Sequence, residues 1–328
     1  MQDTIRILSI DGGGIRGIIP AVVLSRLERL TGRPTAELFD LIAGTSTGGV
    51  LALGLTRPGP SYRPQYSAAE LVGLFEKEGA RIFASSFWRK VRSFGHLSDE
   101  KYAAGGIETV LKKYFGEARL KDACTPVLIP AYEIERRMPF LFKSTAAGKL
   151  DSYDFPMWQV ARATSAAPTY FAPTRIEAEG GDYWSLVDGG LFANNPAACA
   201  LVEARSIYPH AKRYLVVSVG TGTLQSRISI HNAEGWGIAR WARPLLDIVF
   251  DGVSATVDYQ LRQLLPSDYH RFQLMLQKGT EAMDNIGAES VRELRLRAEA
   301  LCRERADDLQ RVAEQLTNAA EASVPRAA

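Results

Sequence analysis

The chain has few of the residues that staple a fold or ligate a metal. Its 328 residues include three cysteines and four histidines. Cys124, Cys199 and Cys302 lie far apart and form no Cys-x-x-Cys pair, which argues against a disulfide framework and a cysteine zinc site; free thiols are expected. His, Asp and Glu do not cluster at ligand spacing, so neither a metal nor a cofactor is expected. A formal net charge of +2 argues against a nucleic-acid polymer as partner. No apolar run is long enough to span a bilayer, and Met1 to Arg6 lead into a strand without an apolar leader. A soluble, cytoplasmic protein is the expectation. There is no internal repeat, low-complexity tract or clear linker.

The composition is 46% hydrophobic with aromatics throughout, enough for a sizeable core. Strand-like and helical stretches alternate, so an α/β fold with a mainly parallel sheet covered on both faces is expected. The stretch Phe39–Leu55 organises the rest. An apolar run of strand length ends in Gly44-Thr45-Ser46-Thr47-Gly48, and a second apolar run with helical character follows. A Gly-x-Ser-x-Gly between strand and helix is a nucleophile elbow, in which the turn lifts Ser46 clear of the sheet at a helix N-terminus. Taken alone, the pattern is also that of a Gly/Ser turn capping a helix.

Two further strand ends strengthen the first reading. Ile5 to Ile10 reads as a buried strand running into Asp11–Gly17, whose Gly12, Gly13 and Gly14 leave backbone N–H groups open to a bound oxygen. The same loop fits Gly-x-Gly-x-x-Gly, but a dinucleotide site needs an acidic residue at the end of the second strand. Asp40 stands at its beginning instead. Arg16 is a candidate for holding an anionic substrate, with a salt bridge or a solvated turn as the alternative. Tyr183 to Val187 reads as a strand entering Asp188-Gly189-Gly190, which makes Asp188 a candidate base for Ser46. Chemistry gathers at the carboxyl ends of strands in such sheets, so all three turns are expected to converge on one edge.

Elsewhere, Arg81 to His96 interleaves Phe83, Phe87, Trp88 and Phe94 with Arg89, Lys90 and Arg92, a mixture that suits either a lipid–water interface or packed aromatics. Val127 to Ile134 and Pro139 to Lys143 read as antiparallel strands. Helix dominates from Gly235 to Leu265, with Trp236, Trp241, Leu245 and Ile248 on its apolar side. Ile286 to Thr317 reads as one long amphipathic helix packed on the domain. The expected organisation is a catalytic region over 1–280, with the helix and tail of 281–328 packed on it.

The three turns together resemble the patatin-like phospholipases: Asp11–Gly17 as the glycine-rich loop, Gly44–Gly48 as the elbow and Asp188–Gly190 as the turn bearing the second catalytic residue. Ala163 to Phe171, Asn194-Asn195-Pro196 and Leu246 to Leu261 are also similar to the family, and the resemblance covers roughly residues 5 to 275. It implies a three-layer α/β/α fold and lipid acyl hydrolysis by a Ser46–Asp188 dyad, with an oxyanion hole from Gly12, Gly13 and Gly14. The implied partner is membrane phospholipid or lysophospholipid, met peripherally at the inner membrane face. It also admits an antiviral effector switched on by a cyclic nucleotide; self-association is a separate alternative, read from the amphipathic pattern of the C-terminal helix. Three rivals stand beside it: an α/β-hydrolase triad using His210, His231 or His270, a nucleotide-binding oxidoreductase, and a non-catalytic scaffold.

Overall fold

The computed structural model describes residues 3–83, 100–178, 181–224, 228–277 and 279–323. Among the described residues eight strands form one sheet: β1 (Thr4–Ile10), β2 (Leu41–Gly44), β3 (Val127–Glu133), β4 (Met138–Lys143), β5 (Thr174–Glu177), β6 (Tyr183–Asp188), β7 (Arg213–Val219) and β8 (Tyr269–Phe272). The order is β5-β6-β3-β2-β1-β7-β8, with β4 also paired to β3. The central pairs β3–β2, β2–β1, β1–β7 and β7–β8 are parallel; β4, β6 and β5 join antiparallel.

Successive side chains on a strand point to opposite faces. Ile5 and Ile7 of β1 therefore pack with Ala197, Ala200 and Leu201 of one helix and Leu261 of another. Leu8 and Ile10 pack on the other face, with apolar residues of Ile18–Thr31 and of Thr47–Thr56. The helices are α1 (Ile18–Thr31), α2 (Thr47–Thr56), α3 (Ala68–Phe83), α4 (Glu100–Phe115), α5 (Met157–Thr164), α6 (Ala197–Ile207), α7 (Ile238–Leu264), α8 (Ala288–Glu304) and α9 (Ala306–Ser323), joined by single helical turns. The architecture is a three-layer α/β/α sandwich on a mostly parallel sheet.

One expectation needs correcting. The helix expected over 286–317 is two helices, broken at Arg305 (φ −108°, ψ 29°), where the N–H still bonds back to the Leu301 carbonyl. Both pack on α1, and Leu294, Ala298, Leu301, Leu309, Val312 and Leu316 are buried in the main core. On α7 the apolar side expected to hold Leu245 and Ile248 is open to solvent, with those residues 51% and 44% exposed. The aromatic-basic stretch Arg81 to His96 lies, beyond Phe83, outside the described residues.

Candidate active site

Strand β4 pairs along the whole of one edge of β3, from Leu128 to Glu133. Strands β2 and β6 must share the other edge. There β2 pairs Ile42 with Val127 and Ala43 with Leu128, and β6 pairs Asp188 with Ala131 and Leu186 with Glu133. One runs parallel to β3 and the other antiparallel, so they approach each other head-on and their C-terminal ends meet. This brings Ser46 and Asp188 together. The expectation that all three turns lie at one carboxyl edge holds for β1 and β2 only, since Asp188 arrives from the opposite direction.

The turn at Ser46 depends on its glycines. A Cβ on Gly44 would sit 2.1 Å from the Gly48 carbonyl oxygen, and one on Gly48 would sit 2.3 Å from that of Ile10. Ser46 itself adopts φ 56°, ψ −124°, which a non-glycine residue takes only under constraint. The constraint is visible in its bonds. Ser46 N–H donates to Thr164 Oγ1 (2.9 Å), whose hydroxyl donates to the Pro130 carbonyl (2.6 Å). Thr45 Oγ1 donates to the Ala193 carbonyl (2.6 Å).

Asp188 is 1% exposed. Its Oδ1 accepts the Gly190 N–H at 2.7 Å. Oδ2 makes no hydrogen bond of regular geometry, although the Ser46 hydroxyl is near enough to act on the carboxyl. The two groups are neighbours in a loose approach rather than a closed hydrogen bond, as apo catalytic pairs often are. Burial pushes the Asp188 pKa up to about 7, while the Ser46 hydroxyl and the Gly190 N–H pull it down.

The glycine loop is held from beneath by a buried ion pair. Arg271 of β8 reaches both oxygens of Asp11, at 2.8 and 2.5 Å, and also donates to Ser218 Oγ. Thr221 Oγ1 donates to the Gly12 carbonyl (2.6 Å), and a Cβ on Gly13 would fall 2.2 Å from that hydroxyl oxygen. Of the three expected oxyanion donors, the structure removes one: Gly12 N–H donates to the Asn194 carbonyl at 3.0 Å. Among the described residues nothing accepts a bond from the N–H of Gly13 or Gly14, and both residues line the cavity that contains Ser46 and Asp188.

Arg16 does not serve the expected role. It is 2% exposed, with Nε on the Gly13 carbonyl (3.1 Å) and Nη1 on the Glu281 carbonyl (3.4 Å). Burial lowers its pKa, and the carboxylates of Asp251 and Asp247 oppose that. It braces the glycine loop from within the protein and presents no charge to the cavity. None of His210, His231 or His270 lines that cavity; Asp40, the acidic residue of the dinucleotide reading, is paired with Arg6 at 2.7 Å. Among the described residues no three His, Cys, Asp or Glu side chains gather as metal ligands would.

Sequence reading missed three contributors. Thr164 and Asn194 sit in stretches that the resemblance had marked, Ala163–Phe171 and Asn194–Pro196. Arg271 carried no local signal, because its partner is 260 positions away. The cavity's roof was missed too: Phe250 of α7, with Met283, whose carbonyl accepts the Ile15 N–H at 2.9 Å. The enclosed space is about 30 Å³, room for a water rather than an acyl chain. A larger groove of about 610 Å³, which Ser46 does not line, lies between Phe75–Glu76 and α8 and is crossed by the Arg295–Glu76 ion pair.

The sequence profile of the patatin-like phospholipase family matches residues 8–201. The chain belongs to that family. Patatin-like protein 4 of Arabidopsis thaliana is 34% identical over 284 residues, covering 78% of this chain and 71% of the relative. "Probable inactive patatin-like protein 9" of the same plant is 35% identical, covering 82% and 74%. Among solved structures, VipD from Legionella pneumophila aligns over 92% of this chain and 67% of its own, at 11% identity and a TM-score of 0.37. Membership supports lipid acyl hydrolysis in general. Because a relative named inactive is as similar to this chain as one that is not, activity turns on the site itself.

Proposed function

We propose that this protein is a serine lipid acyl hydrolase that cleaves fatty-acyl esters of phospholipids or lysophospholipids through Ser46 and Asp188. The observation that carries this reading is the head-on meeting of β2 and β6, which puts the Ser46 hydroxyl beside a buried carboxyl with an oxygen left open toward it. Asp188 takes the Ser46 proton as the serine oxygen attacks the ester carbonyl. The N–H groups of Gly13 and Gly14 hold the tetrahedral oxyanion. As the intermediate collapses, Asp188 returns the proton to the leaving alcohol oxygen and an acyl-serine remains. Water then attacks that ester, Asp188 takes the water's proton and passes it to Ser46, and the fatty acid leaves.

Mass spectrometry of a phospholipid mixture incubated with wild type and Ser46→Ala tests the reading. Free fatty acid is expected from wild type alone. Asp188→Asn should lose nearly all turnover as well, with no further loss in the double variant, since both groups act on one step. His210→Gln, His231→Gln and His270→Gln should each keep most activity; a drop of several orders of magnitude in any one of them, with the fold intact, would restore the triad.

A further inference from the structure

Helix α7 has an apolar side turned to solvent. Residues three and four apart share a helix face. Its inner face mixes the buried apolar side chains of Phe250 and Leu261 with acidic and polar ones. Asp247 and Asp251 act on buried Arg16, and Asp258 acts on Arg271. Ser254 Oγ accepts a bond from Asn194 Nδ2 at 3.0 Å, and Phe250 lines the Ser46 cavity. The opposite face is apolar and open to solvent. Leu245, Ile248, Gly252, Ala255 and Tyr259 follow at intervals of three and four, with Leu245 51%, Ile248 44% and Tyr259 67% exposed. Just ahead of the helix, Ile228 and Ile230 are exposed too, and Trp236 stacks edge-on against Trp241 at 5.2 Å.

We propose that this outward stripe of α7 docks the protein on the surface of an anionic phospholipid bilayer. Three observations favour a membrane over a second copy of the chain. The carboxylates of α7 are partly buried, with Asp258 held by Arg262 at 3.0 Å, so the charged side chains described as exposed along the helix are Arg240 and the paired Arg262, both cationic. That polarity fits an anionic lipid surface and would oppose itself across a two-fold interface. The aliphatic residues are bracketed by Trp241 and Tyr259, residue types that settle at the lipid–water boundary. The face is also one helix diameter, about 10 Å, from the catalytic cavity, because the same helix supplies Phe250 to its roof. The inference rests on the lipid hydrolase reading and deepens it. It places a membrane contact on α7, independently of the Arg81–His96 stretch.

The test uses the full chain carrying Ser46→Ala, so that binding is read apart from turnover. That protein is sedimented with vesicles of phosphatidylcholine alone and with vesicles containing phosphatidylglycerol. Binding to the anionic vesicles is expected, weakening as salt rises. Adding Leu245→Gln and Ile248→Gln should reduce that affinity by about tenfold or more, since two aliphatic side chains no longer enter lipid. Tyr259→Ser, three turns further on, serves if the double variant does not fold, and should weaken binding in the same direction. Undiminished binding in folded variants overturns the inference. So does a dimer that light scattering finds in the parent and that the same substitutions dissolve, which would make the stripe a self-association face. The hydrolase reading falls separately, if wild type releases no fatty acid from lipid in any form.

Discussion

At Ser46 the backbone is held at φ 56°, and that strain persists because Thr164 fixes its N–H and glycines at 44 and 48 leave the turn room. The partner carboxyl sets the pH dependence. Asp188 must be ionised to take a proton, and its pKa is pushed up to about 7. We expect kcat/KM on a soluble ester to fall about tenfold per pH unit below 7 and to level off above it; a profile flat from pH 5 to pH 9 would mean another base. The same shift has a stability consequence of opposite sense. A folded-state pKa raised above the ordinary 3.8 favours the fold fully below about 3.8, and that contribution is lost as pH rises through about 7. Asp188→Asn should therefore raise the melting temperature relative to wild type more at pH 8 than at pH 5, even as it removes turnover. At the glycine loop, Gly13→Ala brings a methyl onto Thr221 Oγ1. It should lower turnover by on the order of a hundredfold or more by displacing the donor, with a smaller loss when Thr221→Gly is added, because the Thr221 Cβ blocks that space as well as its hydroxyl.

At the scale of elements, the site is assembled by strand pairing, and this marks what could be read in advance. Local signals sufficed for the elbow: an apolar run, Gly-x-Ser-x-Gly and a second apolar run dictate strand, tight turn and helix, and the backbone follows. Asp188 was legible as a strand-end carboxylate, but its route was not, because direction along β3 is decided by long-range register rather than by any residue near 188. Leu245 and Ile248 were legible as part of an apolar side, but apolar spacing reveals a face without saying what covers it. The inner face of α7 carries carboxylates answering Arg16 and Arg271, both remote in sequence. Gly12 failed as an oxyanion donor for the same reason, since its acceptor is the carbonyl of Asn194. The Asp11–Arg271 pair ties β1's loop to β8 with both partners buried. Removing one partner of such a pair leaves an uncompensated charge and costs about 3–5 kcal/mol. Arg271→Met should lower the chemical-denaturation midpoint accordingly, and Asp11→Asn added to it should recover part of the loss. A midpoint unchanged in Arg271→Met would show that the pair does not hold the loop.

For the whole molecule, the question is whether the C-terminal helices are an appendage or part of the catalytic fold. Leu309, Val312 and Leu316 of α9 are each no more than 1% exposed, in the same core as Leu8 and Ile10 of β1. The Leu316 carbonyl also accepts a bond from Arg6, whose guanidinium pairs with Asp40 just ahead of β2. The strand that enters the glycine loop is thus covered and partly bonded by the last helix, and its Arg6 ties it to Asp40 at the start of β2. Burying each of the three large side chains contributes about 1.5–3 kcal/mol, against a net stability of roughly 5–15 kcal/mol for a typical domain. Their combined loss is comparable with the whole margin. A chain ending at Glu304 should accordingly express as aggregate or melt at a much lower temperature, and hydrolysis of a soluble ester should vanish with the fold. The full chain should unfold in one calorimetric transition that includes α9, without an early step for the helix. If the shortened chain were instead soluble, melted like the full one and kept its turnover, residues 306–323 would be an independent attachment, and the coupling read from Arg6 and the shared core would be wrong.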